Sequence, residues 1–224
     1  MRMLALLGLT SVLATPLLAQ GNPADPDKKA SGGGSVPTGW SYRLESGSIN
    51  DVKVVTMGPG LHFTSGPPGI YWREADAVAG SFHTLATFTQ TVAPAHPEAY
   101  GIFVAGQSLT DSTATYVYLI VRGDGMYSIR QGGAAGKPST NLTTGGNRNG
   151  WLASDAVVKQ DSAGKATNML EVAGNATTKK LTFKVNGKTV AELDAPGGHI
   201  AGAVGIRMNH NLDVHVAGFA VHKM

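Results

Sequence analysis

Two pairs of carboxylates sit on alternate positions of the chain, Glu192-Leu193-Asp194 and Glu74-Ala75-Asp76. In a strand, residues two apart share a face, so each pair would present both acids together. Glycoside hydrolysis uses such a pair, one acid to protonate the leaving oxygen and one to attack or to activate water, about 5 Å apart in retaining enzymes. Both pairs also lie next to turn signals; Asp194 is followed by Ala195-Pro196. Exposed acids are the ordinary occupants of such places. No catalytic residue is expected, and Glu192 and Asp194 are the candidates to be checked.

Metal chemistry has one candidate cluster, His210, Asp213 and His215 in H-N-L-D-V-H. Asp213 and His215 share a strand face, and His210 lies just before it. These donor types suit zinc or another divalent cation, but a solvated strand face has the same composition, so neither a metal nor another cofactor is expected. Asp111, Asp124 and the Asn-rich stretch 141–149 could offer oxygens to calcium, without a diagnostic spacing. The chain has no cysteine and no G-x-S-x-G elbow, so thiol and elbow-serine catalysis are excluded. Its glycine clusters at 32–34 and 132–136 do not join a strand to a helix and are not phosphate loops.

A binding surface is the better-supported chemistry. Along 115–122, Tyr116, Tyr118 and Arg122 alternate against Val117, Leu119 and Val121. His83 and Thr87 alternate in the same way against Phe82, Ala86 and Phe88, and Gln107 and Arg130 end neighbouring strands. Aromatic rings with planar polar groups that hydrogen-bond in pairs are what a sugar ring requires. The competing reading is an ordinary solvated sheet face. Expected ligand-binding residues are His83, Gln107, Tyr116, Tyr118, Arg122 and Arg130. Trp40, Trp72 and Trp151 are expected to pack in the core or at its edges.

These residues must be held by strands. From Trp40 onward, apolar residues alternate with period two, and turn residues interrupt them at intervals of roughly ten positions. Strands are predicted at 40–45, 52–57, 61–65, 70–73, 81–92, 100–107, 115–122, 126–131, 155–160, 168–173, 180–185, 188–193, 203–209 and 212–221. Gly123-Asp124-Gly125 and Asn186-Gly187 read as hairpin turns, the second of type I′. Residues 132–150, rich in Gly, Thr and Asn, read as one long loop. Many short strands without a helix or an internal repeat give an all-β, two-sheet antiparallel jelly-roll sandwich.

Three stretches carry a family resemblance: Y-G-I-F-V-A-G-Q with T-Y-V-Y-L-I-V-R-G-D-G-M-Y-S-I-R, the hairpin L-T-F-K-V-N-G-K-T-V-A-E-L, and the ending G-A-V-G-I-R-M-N with L-D-V-H-V-A-G-F-A-V. Together they resemble the concanavalin A-like lectin/glucanase superfamily, including laminin-G-like and bacterial 3-keto-disaccharide-hydrolase-like domains. The resemblance implies a curved sheet whose concave face meets glycans. Glucanases of the superfamily carry Glu, Asp and Glu on alternate positions of one strand; here the third acid is missing after Asp194. The expectation is therefore a lectin-like, carbohydrate-binding module with a cell-surface glycan as partner. The alternatives are a glycoside hydrolase or lyase acting on a sugar or keto-sugar, and a structural or adhesion module without a small ligand.

The N-terminal end reads as an export signal. Arg2 precedes an apolar run that exits at Ala19, and Thr15-Pro16 interrupts it. Residues 1–19 are expected to be a signal peptide, 20–39 a flexible linker and 40–224 the domain, secreted or periplasmic, with no stable membrane insertion after cleavage. The linker is rich in Pro, Gly, Ser and charge. The 18 basic and 15 acidic residues are scattered, and nucleic acid, which needs a clustered basic stripe, is excluded as a partner.

Overall fold

The computed structural model describes residues 26–134 and 136–224, so the expected signal peptide lies outside the described residues. Fifteen strands follow one another, with three single 3₁₀ turns between them. They are β1 (Ser41–Leu44), β2 (Val52–Met57), β3 (Gly60–Ser65), β4 (Gly69–Trp72) and β5 (Phe82–Gln90). Then come β6 (Ala99–Gln107), β7 (Thr115–Arg122), β8 (Met126–Gly133), β9 (Thr140–Asn141) and β10 (Leu152–Ala153). The chain closes with β11 (Ala166–Asn175), β12 (Lys180–Val185), β13 (Lys188–Asp194), β14 (Ala203–Met208) and β15 (Leu212–Lys223).

The strands form two antiparallel sheets. One has eight strands in the order β1-β4-β14-β6-β7-β8-β10, with β9 paired to β8; the other has seven in the order β13-β12-β11-β5-β15-β3-β2. The predicted all-β two-sheet sandwich is what forms. Strand β5 shows why: Phe82, Thr84, Ala86, Phe88 and Gln90 are buried, and every residue between them is partly exposed. The inner faces interlock through Tyr71, Ile102, Val117, Leu119 and Val121 of one sheet and Phe63, Phe88, Val172 and Phe183 of the other. Each such side chain contributes about 1.5–3 kcal/mol of burial energy. Asn186 and Gly187 have φ of 49° and 79°, as the predicted type I′ hairpin requires.

The eight-stranded sheet is covered on both sides. Six of the eight residues of β7 are buried. On its outer face Ile70, Trp72, Phe103, Tyr116, Tyr118, Ile120 and Trp151 form a second apolar cluster. Residues of small size make room there: a Cβ at Gly132 would stand 2.5 Å from the Tyr116 ring.

Two sequence expectations change. Residues 155–160 form no strand. Ala156 and Val157 are buried, but the Ala156 backbone bonds to side chains, its N–H to Ser154 Oγ (3.1 Å) and its C=O from Asn186 Nδ2 (2.8 Å), and Val158 N–H donates to Asn168 Oδ1 (2.8 Å). Alternation reports burial, and burial here does without a ladder. Nor is the expected linker loose over its described part, residues 26–39. Lys28 N–H donates to Asn211 Oδ1 at 2.7 Å, and Asn211 Nδ2 donates to the Pro26 carbonyl at 3.1 Å. Gly34 N–H reaches the Ile49 and Val52 carbonyls, and Ser35 makes a parallel bridge to Lys53. A Cβ at Gly33 would lie 2.4 Å from the Asn50 carbonyl oxygen. Backbone pairing through glycine holds this strap, and an inventory of apolar side chains does not register it.

Candidate functional site

The outer face of the eight-stranded sheet carries a hollow of about 480 Å³, within the size range of ligand sites, roughly 300–1,000 Å³. Its floor is Tyr118, Ile120 and Arg122 of β7, Arg130 of β8 and Arg207 of β14; its walls are the segments 97–98, 137–139 and 149–151, together with Glu45 just beyond β1. Antiparallel pairing puts Arg130 opposite Tyr118 and Tyr118 opposite Phe103. Arg207 arrives two strands away, with β6 between β14 and β7.

Arg207 is the most demanding of these groups. It is 4% exposed. Its Nη1 stands 2.8 Å from Glu45 Oε1, its Nη2 donates to Asn209 Oδ1 at 3.2 Å, and its guanidinium lies 5.4 Å from the centre of the Tyr118 ring. Its buried Nε has no hydrogen-bond partner among the described residues. Burial works to lower the Arg207 pKa, and Glu45, Tyr116 and Tyr118 outweigh it, so the group is held charged. Tyr116 lies beneath and donates its hydroxyl to Glu45 Oε1 at 3.3 Å. Its own pKa is raised by burial, although Arg207 pulls the other way.

The other two arginines are braced by Trp151. Arg122 lies 4.2 Å from the indole centre and Arg130 5.3 Å, both within cation–π range. Arg122 is held by both oxygens of Asp124. Arg130 donates to Ser128 Oγ (2.9 Å), the Asn149 carbonyl (2.6 Å) and Ser139 Oγ (3.4 Å). The loop that delivers Trp151 is tied by Asn147, whose Oδ1 accepts from Asn149 N–H and Trp151 N–H, and Gly150 takes φ of 74°. Aromatic rings therefore back the guanidinium planes and fix their directions. On the far wall Glu98 accepts from Asn209 Nδ2 at 3.2 Å and meets His210 Nε2 at 2.7 Å.

This hollow gathers Tyr118, Arg122 and Arg130 of the expected binding residues, with Tyr116 under it. Gln107 is outside: it ends β6 and donates to the Ala201 carbonyl at 2.6 Å. His83 belongs to the other sheet, because β5 pairs with β11 and β15 there; it meets Glu171 at 2.9 Å and stacks on His222 at 5.9 Å. The catalytic candidates are also elsewhere. Glu192 and Asp194 stand on β13 at the sheet edge, 54% and 85% exposed, and share Lys180. Glu74 accepts from the Trp72 indole and Asp76 pairs with Arg73.

The three metal candidates are not brought together. His210 sits between Glu98 and Asp27. Asp213 and His215 face outward on the seven-stranded sheet, where His62 is 3.1 Å from Asp213 and its ring 6.2 Å from that of His215. No group of three or more such side chains among the described residues could hold a metal ion.

Sequence reasoning missed Glu45, Glu98 and Arg207, and it expected Trp151 to pack without its contact to the two arginines. Arg207 did carry a signal, a charge inside the otherwise apolar stretch A-V-G-I-R-M. Charges in buried strands are rare unless paired. Glu45 and Glu98 carried none, since their partners lie 162 and 111 positions away.

Solved structures with the same arrangement of strands decide the fold. A carbohydrate-binding module of Bacillus subtilis superposes with a TM-score of 0.58 at 10% identity, over 83% of this chain and 96% of its own. A Bacillus subtilis protein of unknown function with a galectin-like fold gives 0.55 at 12% identity, over 82% and 89%. This is a concanavalin A-like fold. A putative glycosyl hydrolase of Parabacteroides distasonis shares that concanavalin A-like arrangement, with a TM-score of 0.50 at 12% identity over 82% of this chain and all of its own. No family model matches the sequence, and no curated protein is similar to it. No helix among the described residues is long and apolar enough to cross a membrane.

Proposed function

We propose that the chain is a carbohydrate-binding module and that the hollow over Tyr118 is where it binds. The observation that carries this reading is the convergence of three guanidinium groups and two carboxylates, from five separate segments, on one hollow backed by aromatic rings. Rigid planar groups with several donors and acceptors can each engage two neighbouring hydroxyls of a sugar, and bracing by rings lowers the entropy lost on binding. The similarity to a carbohydrate-binding module is in accord with it. Affinity electrophoresis through gels containing a panel of polysaccharides tests the proposal. Retardation by at least one glycan is expected, lost in Trp151→Ala and kept in His83→Ala. Migration unaffected by every glycan would sink it.

Hydrolysis or elimination at the same hollow is the second reading, favoured by Glu45 and Glu98 facing it together. Release of reducing ends or of unsaturated products, abolished by Glu45→Gln or Glu98→Gln, would establish it. The chain is further proposed to act outside the cytoplasm after cleavage behind Ala19. The N-terminal mass of the exported protein checks this.

A further inference from the structure

The charges of the hollow are unevenly answered. Arg207 faces Glu45, and Arg122 faces Asp124. Glu98 is engaged by Asn209 and His210. Arg130 differs: its partners are a carbonyl and two hydroxyls, all neutral. A guanidinium has five N–H donors, so two remain after these three, and no carboxylate among the described residues pairs with it. Lys137, on the adjoining wall of the hollow, has no ion pair among the described residues either. One wall thus carries two unmatched cations, while the carboxylates opposite already have partners, Glu45 in Arg207 and Glu98 in Asn209 and His210.

We propose that the hollow selects a sugar unit bearing a carboxylate, a uronate, placed against Arg130 and Lys137, with its hydroxyls turned to the carboxylates opposite. This rests on reading the hollow as a glycan site. A carboxylate matches a guanidinium fork in plane and spacing, and charge-assisted bonds are about twice as strong as neutral ones. Trp151 holds the Arg130 plane in place beforehand. A neutral sugar would cover both cations and leave them unanswered, which costs free energy on desolvation. The other wall offers carboxylates that already have partners and no unmatched cation, so the site accepts one such group and fixes the direction of the chain that carries it.

Calorimetric titration of the full chain tests this, with oligogalacturonate and oligomannuronate against neutral galactose and mannose oligomers of equal length, at low salt. The acidic ligand is expected to bind about tenfold tighter, and about 0.5 M salt should erase most of the difference. Arg130→Gln should reduce the acidic-to-neutral ratio to about threefold or less, and Arg130→Lys, which keeps the charge without the fork, should restore only part of it. Lys137→Gln changes an exposed side chain and reads the same ratio without risk to folding. Equal affinity for acidic and neutral oligomers would overturn the uronate assignment and leave the glycan site standing. Preference for a sulfated galactan over both uronates would overturn it as well. Absence of binding by either class would overturn both.

Discussion

On the outer face of the eight-stranded sheet Trp72, Phe103, Tyr116 and Tyr118 are at most 4% exposed, and a paired arginine lies among them. On the outer face of the seven-stranded sheet stand Thr87, Thr89, His83 and His215, each partly open to water and each bonded, if at all, to a neighbour across the strand. The faces belong to strands that read differently: β5 alternates cleanly, whereas β6, β7 and β14 are buried almost throughout. They differ also in what folds over them. Glu45, the 97–98 turn and the 137–151 loop close over one sheet; the other keeps the half-solvated face usual for antiparallel sheets. Long connections roof one sheet and deliver charges that its strands alone do not provide.

The sharpest way to break this contrast is at Arg207. Glu45→Gln should cost about 1–3 kcal/mol, because the buried Arg207 is left without its counter-charge, and adding Arg207→Met should recover part of the loss. Urea unfolding of the two variants measures both. If Glu45→Gln is neutral, the Arg207 charge does not depend on Glu45 in the way described. Trp151→Ala should cost about 3 kcal/mol from lost packing, and should abolish glycan binding because Arg122 and Arg130 lose their support. Unfolding midpoint and affinity electrophoresis together separate the two effects.

Alkaline pH should act on one sheet. Tyr71, Tyr100 and Tyr116 all belong to the eight-stranded sheet, and burial raises each above the usual phenol value of 10.0. Below that value folded and unfolded chains are both protonated, and the full stability is present. Above it the unfolded chain loses protons that the folded chain retains, so stability falls by about 1.4 kcal/mol per pH unit for each tyrosine until the folded groups titrate. A series of unfolding curves from pH 9 upward, read with tyrosinate absorbance, should show loss of structure coincident with ionisation. Ionisation preceding unfolding would mean that these phenols are accessible. The smallest effect is expected on the other face: Thr87→Ala and Thr89→Ala should each shift stability by less than about 0.5 kcal/mol and leave binding unchanged.

The strand alternation made the sandwich legible: β5, β7 and the Asn186-Gly187 hairpin follow from period two and turn chemistry. It also gave Tyr118, Arg122 and Arg130, since these share a face of two neighbouring strands. It could not distinguish that face from the one bearing His83, because which sheet a strand joins depends on pairings such as β5 with β15, more than a hundred positions apart. Glu45 and Glu98 were hidden for the same reason. The strap was hidden differently, since its bonds are made by backbone atoms that every residue has.

That strap reaches the rim of the hollow. Its first bonds run from Pro26 and Lys28 to Asn211, and Asp27 stands 3.4 Å from His210, which in turn holds Glu98 on the wall of the hollow. One imidazole thus stands between a carboxylate of the strap and a carboxylate of the hollow, so the first described residues of the chain help to hold the wall that Glu98 forms.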